Sequence, residues 1–115
     1  MTNAKTELQE VLRKAEIPTS EILVADLWRE VEDNDLESED FYKKEEICLP
    51  LGYDALREEQ FWKALDFEYY QSFGAQYLFG TVWLTKHRWL TRGEYDGSEW
   101  WNLHLYPEIP ESLKG

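Results

Sequence analysis

Cysteine is nearly missing from this chain. Cys48 is the one thiol in 115 residues, so no internal disulfide can form, which excludes the disulfide-stapled class of small secreted domains. Long apolar runs are missing too. No stretch approaches the run of about 18 apolar residues that a membrane span requires. Residues Met1 to Ile17 are charged and helical in pattern, and they lack the apolar centre and small-residue cleavage site of a secretory leader. Together these features lead us to expect a reducing cytoplasm and no membrane partner. Bases are scarce as well: 12 Lys and Arg stand against 24 Asp and Glu, a formal charge of −12. Direct binding to DNA, RNA or anionic lipid needs clustered cations and is not expected. A protein partner with a basic surface fits the charge.

The residue patterns of common chemistries are also missing. Histidine occurs twice, as His87 and His104, far apart in sequence and with Cys48 near neither. No metal site is expected, because zinc needs several ligands at set spacings. There is no Gly-x-Ser-x-Gly elbow and no glycine-rich phosphate cradle. The string Asp96-Gly97-Ser98-Glu99 lacks the remaining ligand positions of a calcium loop and reads as a turn. Glu94 and Glu99 face each other in the expected hairpin. Such a pair suits acid–base work, but it more commonly lies in solvent near the turn or shares a cation such as Arg92. The expectation is a non-enzyme with no cofactor.

Apolar residues make up 43% of the chain, enough for one globular domain over residues 1–115. Leu8, Val11, Leu12 and Ala15 fall at helical spacing, with Thr6 and Gln9 as a capping box and Pro18 beyond the end. Residues 21–31 satisfy a helical face (Val24, Leu27, Trp28, Val31) and equally a buried strand; the strand is preferred. A loop follows to about Tyr42, then a short strand from Glu46 to Leu51. Asp54 is the expected N-cap of a second helix, with Glu58 and Glu59 early in it and Phe61, Trp62 and Leu65 facing inward. Phe67–Tyr70 reads as a strand and residues 71–76 as a loop. The meander expected over 77–106 comprises strands at Tyr77–Leu84, Trp89–Tyr95 and Ser98–Leu105. Pro107 and Pro110 mark an extended tail. The predicted class is α+β: an N-terminal helix, one central helix and an antiparallel sheet of four to six strands ending in a tight hairpin.

That hairpin is the sharpest signal. Asp96-Gly97 supplies two turn residues that tolerate φ > 0. If they form the loop, Tyr95 faces Ser98, Gly93 faces Trp100, Arg92 faces Trp101, Leu90 faces Leu103 and Trp89 faces His104. One face then collects Leu90, Trp101, Leu103 and Leu105 and is the expected core face. The other collects Trp89, Thr91, Gly93, Trp100, Asn102 and His104. On it, Trp100 covering Gly93 is a packing device in its own right; the alternative is a face that stacks on a partner or ligand. The expected core comprises Leu12, Phe61, Leu65, Val82, Leu90, Trp101 and Leu103.

Charge is unevenly placed. Residues 1–60 hold 17 acids and 7 bases, residues 61–115 hold 7 and 5, so −10 of the −12 lies in the first part. Within an acidic loop at about 30–46, Glu30, Glu32, Asp33, Asp35, Glu37, Glu39 and Asp40 include no base between them. They form either a solvated loop that aids solubility or an electrostatic lure for a surface that normally holds nucleic acid. With Trp89, Trp100 and His104 they are the candidate partner-binding residues.

The segment Leu65-Asp66-Phe67-Glu68-Tyr69, then Phe79-Gly80, Trp89-Leu90, Arg92, Glu94-Tyr95-Asp96-Gly97-Ser98-Glu99-Trp100-Trp101 and Pro107 to Pro110 resembles a loose family of small uncharacterised phage and prophage proteins. The likeness covers about residues 62–110, and its nine-residue core is the specific part. Where those proteins tend to place Asp-Gly in the preceding turn, this chain has Lys86-His87. The family has no assigned activity, so the resemblance implies a mobile-element origin and no catalytic residue.

Two functions follow as expectations. One is a phage-type, non-enzymatic inhibitor that binds a host nucleic-acid-handling defence enzyme, such as a CRISPR effector or restriction complex, with nucleic-acid charge mimicry as one means. The other is a small-ligand module in which Trp89, Trp100, Asn102 and His104 stack on a sugar or base.

Overall fold

The computed structural model describes residues 1–32, 42–70, 76–106 and 111–113. Its architecture is α+β: two helices on one face of a five-stranded antiparallel sheet, with a small two-stranded ribbon beside them. The elements run β1 (Thr2–Asn3), α1 (Ala4–Lys14), β2 (Ile22–Glu32), β3 (Tyr42–Leu49), α2 (Ala55–Leu65), β4 (Glu68–Tyr69), β5 (Leu78–Leu84), β6 (Arg88–Tyr95) and β7 (Ser98–Leu105). The large sheet is ordered β3-β2-β5-β6-β7, and β1 pairs with β4.

The N-cap of helix α1 lies three residues before the expected one. Asn3, not Thr6, is the N-cap: its Oδ1 accepts a hydrogen bond from the Thr6 N–H at 3.0 Å. Both residues can cap, and tertiary contacts decide between them. The Asn3 side chain donates to Asp66 Oδ1 at 2.9 Å, and the Ala4 N–H donates to the Phe67 carbonyl at 2.9 Å. These bonds flank the pairing of β1 with β4, which the expected elements do not include, and the strand expected over Phe67–Tyr70 is Glu68–Tyr69. In α2, Asp54 Oδ1 accepts from the Arg57 N–H at 2.9 Å, the cap expected.

The ambiguous segment is a strand, and it runs further than expected. Glu30–Glu32 and Tyr42–Glu46 lie in β2 and β3, paired from Ala25–Leu49 to Glu32–Tyr42. The interval expected as a loop over 30–46 is therefore strand at both ends; its middle, 33–41, lies outside the described residues. A register shift between Ile22 and Val24 inserts one extra residue into β2. It lets Ile22 face the core together with Ala25 and Leu27 despite their opposite parity.

The core joins Ala4, Leu8 and Leu12 of α1, Phe61 and Leu65 of α2, and Ala25, Leu27, Ile47, Leu49, Leu78, Val82, Leu84, Leu90 and Trp101 of the sheet. The hairpin register is the one expected, from Tyr95–Ser98 to Trp89–His104. Asp96 and Gly97 take φ of 52° and 85°. Six of the seven expected core residues are buried; Leu103 is the exception at 37% exposure, and Leu105 on the same face reaches 63%. The face was assigned correctly, but helix cover stops short of the end of β7. Gly80 takes φ of 125°, and a Cβ there would strike the Asp26 carbonyl oxygen and lie 2.7 Å from Leu27 Cα. Only glycine lets β5 approach β2 so closely.

Candidate functional site

Strand alternation sends every second sheet residue away from the helices. Among the described residues no helix covers that side. Register aligns its side chains into rows that cross strands. Cys48, Asp26, Thr81, Thr91 and Asn102 form a polar row spanning all five strands, each pair directly opposed. On one side of it Trp83 faces Trp89, which faces His104. On the other, Trp28 faces Phe79, and Trp100 faces Gly93.

Local contacts hold these side chains in place. The Trp89 and His104 rings stack at 5.2 Å and 12°, and His104 Nε2 shares a 2.7 Å hydrogen bond with the Thr91 hydroxyl. Trp28 stacks on Phe79 at 5.8 Å and 3°, with the Lys44 ammonium 4.5 Å from its ring centre. Trp100 lies over Gly93: a Cβ there would sit 2.5 Å from the indole, whose Nε1 donates to Asn102 Oδ1 at 3.0 Å. Rigid rings with polar groups between them suit recognition, because little side-chain freedom is lost on binding. Trp83 and Trp100 are 43% and 40% exposed.

The candidate residues are thus partly brought together. Trp89, Trp100 and His104 share this open face, and Glu30 joins it from β2, opposite Lys44. Glu32 ends β2. Asp33, Asp35, Glu37, Glu39 and Asp40 lie outside the described residues. Asp26, Thr81, Cys48, Trp28, Phe79 and Trp83 were not candidates, and the signal for them is the alignment of β2 with β5, which no local pattern supplies. Near one end of the face, Trp83, Trp89, Lys86, His87, Arg88 and Tyr106 line a cleft of about 380 Å³.

The carboxylate pair of the hairpin is split by the fold. Glu94 and Glu99 are opposed in register, but their side chains part. Glu94 Oε1 accepts from the Gly97 N–H at 2.8 Å. Glu99, 3% exposed, turns inward and accepts from the N–H groups of Tyr77 (2.8 Å) and Leu78 (3.0 Å) and from Arg92 Nη2 (2.9 Å). Arg92 also donates to Glu7 Oε1 at 3.0 Å and to the Tyr69 hydroxyl at 3.0 Å, and its guanidinium lies 4.8 Å from the Trp101 ring centre. Burial disfavours the charge, yet Glu7, Tyr69 and Glu99 outweigh it and hold the Arg92 pKa above its ordinary value. The cluster locks α1, β4 and the hairpin together. Burial and then Asp26, whose Oδ1 accepts a 3.6 Å hydrogen bond from Sγ, push the Cys48 thiol up, away from the reactive thiolate. No group of His, Cys, Asp and Glu among the described residues can hold a metal ion, and none of their helices is long and apolar enough to cross a membrane.

The chain matches no family model, no curated protein and no solved structure.

Proposed function

We propose that this protein is a non-enzymatic binding module whose open, tryptophan-bearing sheet face docks a basic protein surface. The class of partner is a nucleic-acid-handling enzyme of a defence system, such as a CRISPR effector or restriction complex, which the module inhibits. The observation that carries this reading is the uncovered face itself: partly exposed tryptophans around a polar row, with Glu30 of the acidic run standing opposite Lys44 on it. Exposed aromatics supply binding hot spots, and acidic side chains steer a cationic groove into contact. On this reading the acids take the place of nucleic-acid phosphates in the partner's groove.

The test is binding kinetics against purified effector enzymes in their nucleic-acid-free state, at low and moderate salt. Association should slow as salt rises, since the Debye length is about 8 Å at physiological ionic strength. Converting Glu30, Glu32, Asp33 and Asp35 to amides should lower the association rate, whereas Trp100→Ala and Trp83→Ala should raise the dissociation rate. Added target DNA or RNA should compete. Binding unaffected by salt and by nucleic acid refutes charge mimicry. Binding unaffected by either tryptophan refutes the face.

The cleft beside Trp89 favours a second reading, a small planar or sugar ligand stacked on Trp83 or Trp89. Titration of tryptophan fluorescence with nucleosides and simple sugars tests it. Saturable quenching lost in Trp89→Ala supports it; no change at millimolar ligand refutes it.

A further inference from the structure

The five-stranded sheet ends in two unlike edges. β3 carries Lys43, Lys44, Glu45 and Glu46 in succession, charges of the kind that discourage a further strand from adding. β7 reads Ser-Glu-Trp-Trp-Asn-Leu-His-Leu. Its one formal charge, Glu99, is turned into the core. It contains no proline, and it pairs with β6 in unbroken register from Ser98 to Leu105. Among the described residues no strand lies on its far side. An antiparallel ladder leaves every second residue of such an edge with its N–H and C=O pointing outward. Among the described residues, β7 carries no lysine, proline or bulge of the kind that blunts an edge.

Three observations select the occupant. First, charge: the one formal charge of β7, Glu99, is turned into the core, so two copies of this strand can meet without opposing like charges at the seam. Second, apolar surface runs up to the edge on both faces, as Leu103 and Leu105 on the helix side and Trp100 on the open side. Third, symmetry: a two-fold axis normal to the sheet pairs β7 with itself antiparallel and keeps like faces together. Only registers that oppose residues of equal parity do this. The register centred on Asn102 sets Leu103 against the partner subunit's Trp101 and Asn102 against the partner's Asn102.

From these we infer that the chain forms a two-fold dimer through β7, joining two five-stranded sheets into one of ten strands. The dimer covers the apolar end of β7 and places two copies of the tryptophan-bearing face side by side. It stands independently of the partner proposed above.

Sedimentation of the full chain over about 1–500 µM reads the mass directly, because a monomer–dimer equilibrium follows concentration. The mass should climb from 13.8 kDa towards twice that value. Asn102→Lys sets two ammonium groups opposite each other on the axis, which disfavours pairing. That variant should stay monomeric with an unchanged circular dichroism spectrum, and so should Asn102→Glu. Mixing the two should restore a dimer, which a misfolded variant would not do. On a Cys48→Ser background, Asn102→Cys should give a covalent dimer on mild oxidation, since opposed residues across an antiparallel pair lie within disulfide reach. A parent that stays monomeric throughout overturns the inference. So does a dimer that survives Asn102→Lys and fails to cross-link at Asn102→Cys, which would put the contact on another surface.

Discussion

Replacing Glu99 by glutamine changes one atom and should cost a large part of the fold's stability. Both carboxylate oxygens are acceptors: Oε2 takes the Tyr77 N–H at 2.8 Å, and Oε1 takes the Leu78 N–H at 3.0 Å and Arg92 Nη2 at 2.9 Å. A glutamine amide has one oxygen. Whichever way it is turned, its NH₂ meets a backbone N–H donor head-on. One charge-assisted bond, worth about 1.5–3 kcal/mol, is lost, and a side chain in the core keeps an unmatched donor. Arg92, 1% exposed along its side chain, retains Glu7 as its one remaining carboxylate among the described residues. Breaking a buried pair from one side costs about 3–5 kcal/mol, against a total of about 5–15 kcal/mol for an ordinary domain. Urea unfolding followed by tryptophan emission gives the number. The double variant Glu99→Gln/Arg92→Met should lose less than the sum of the singles, because removing the guanidinium removes the group left unpaired. A loss below about 1 kcal/mol for Glu99→Gln, or strict additivity in the cycle, would refute this account of the cluster.

Further predictions concern backbone, core and charge. Gly80→Ala drives a Cβ into the β2 backbone at a φ of 125° and should cost at least about 3 kcal/mol. Gly97→Ala, at φ 85° in the hairpin turn, should cost about 1 kcal/mol; equal losses in urea would contradict the distinction. Leu90→Ala should cost about 2–5 kcal/mol, but Leu103→Ala, at a half-covered site, only about 1 kcal/mol, and a reversed order would mean that the helices cover β7 to its end. Glu21 accepts a hydrogen bond from the Thr85 hydroxyl at 2.8 Å and lies 3.4 Å from Arg88; the hydroxyl first, then Arg88 and Lys86, hold its pKa below the ordinary carboxylate value despite partial desolvation. The unfolded chain therefore binds this proton more readily, so the stabilisation is present above the ordinary carboxylate pKa and is lost as pH falls through the lowered one. The melting-temperature gap between parent and Glu21→Gln should close on acidification; a gap that persists at the acid extreme contradicts the assignment.

Local chemistry made the hairpin legible. Two turn residues that tolerate positive φ fix the pairing, pairing fixes the faces, and β6 and β7 follow residue by residue. The same logic gives a face but not the reach of the helices across it, which is why Leu103 was misplaced in depth and not in direction. The N-cap was ambiguous because Asn3 and Thr6 both cap well; the choice rests on Asp66 and Phe67, more than 60 positions away. The candidate face was half legible. Trp89, Trp100, Asn102 and His104 follow from the hairpin, while Asp26, Cys48 and Trp28 join them only because β2 lies against β5. No residue near either strand announces that adjacency, and the Glu7–Arg92–Glu99 cluster depends on the same kind of distant meeting.

The placement of β5 beside β2 also bears on how fast the chain reaches this structure. β5, β6 and β7 are successive neighbours, and β2 pairs with the next strand along, so both sets join segments close in sequence. Their junction cannot: Ala25 meets Val82, 57 positions further on, with α2 and β4 inside the closed loop. Loop entropy must be spent before that junction returns any contact energy, and such non-local pairings set the pace of folding. The junction between β2 and β5 is thus expected to be the slow step of assembly, which refolding kinetics would read. Gly80 sits within it, so its replacement should be seen in the refolding arm of a chevron, whereas replacement of Leu103, at the far edge, should be seen in the unfolding arm.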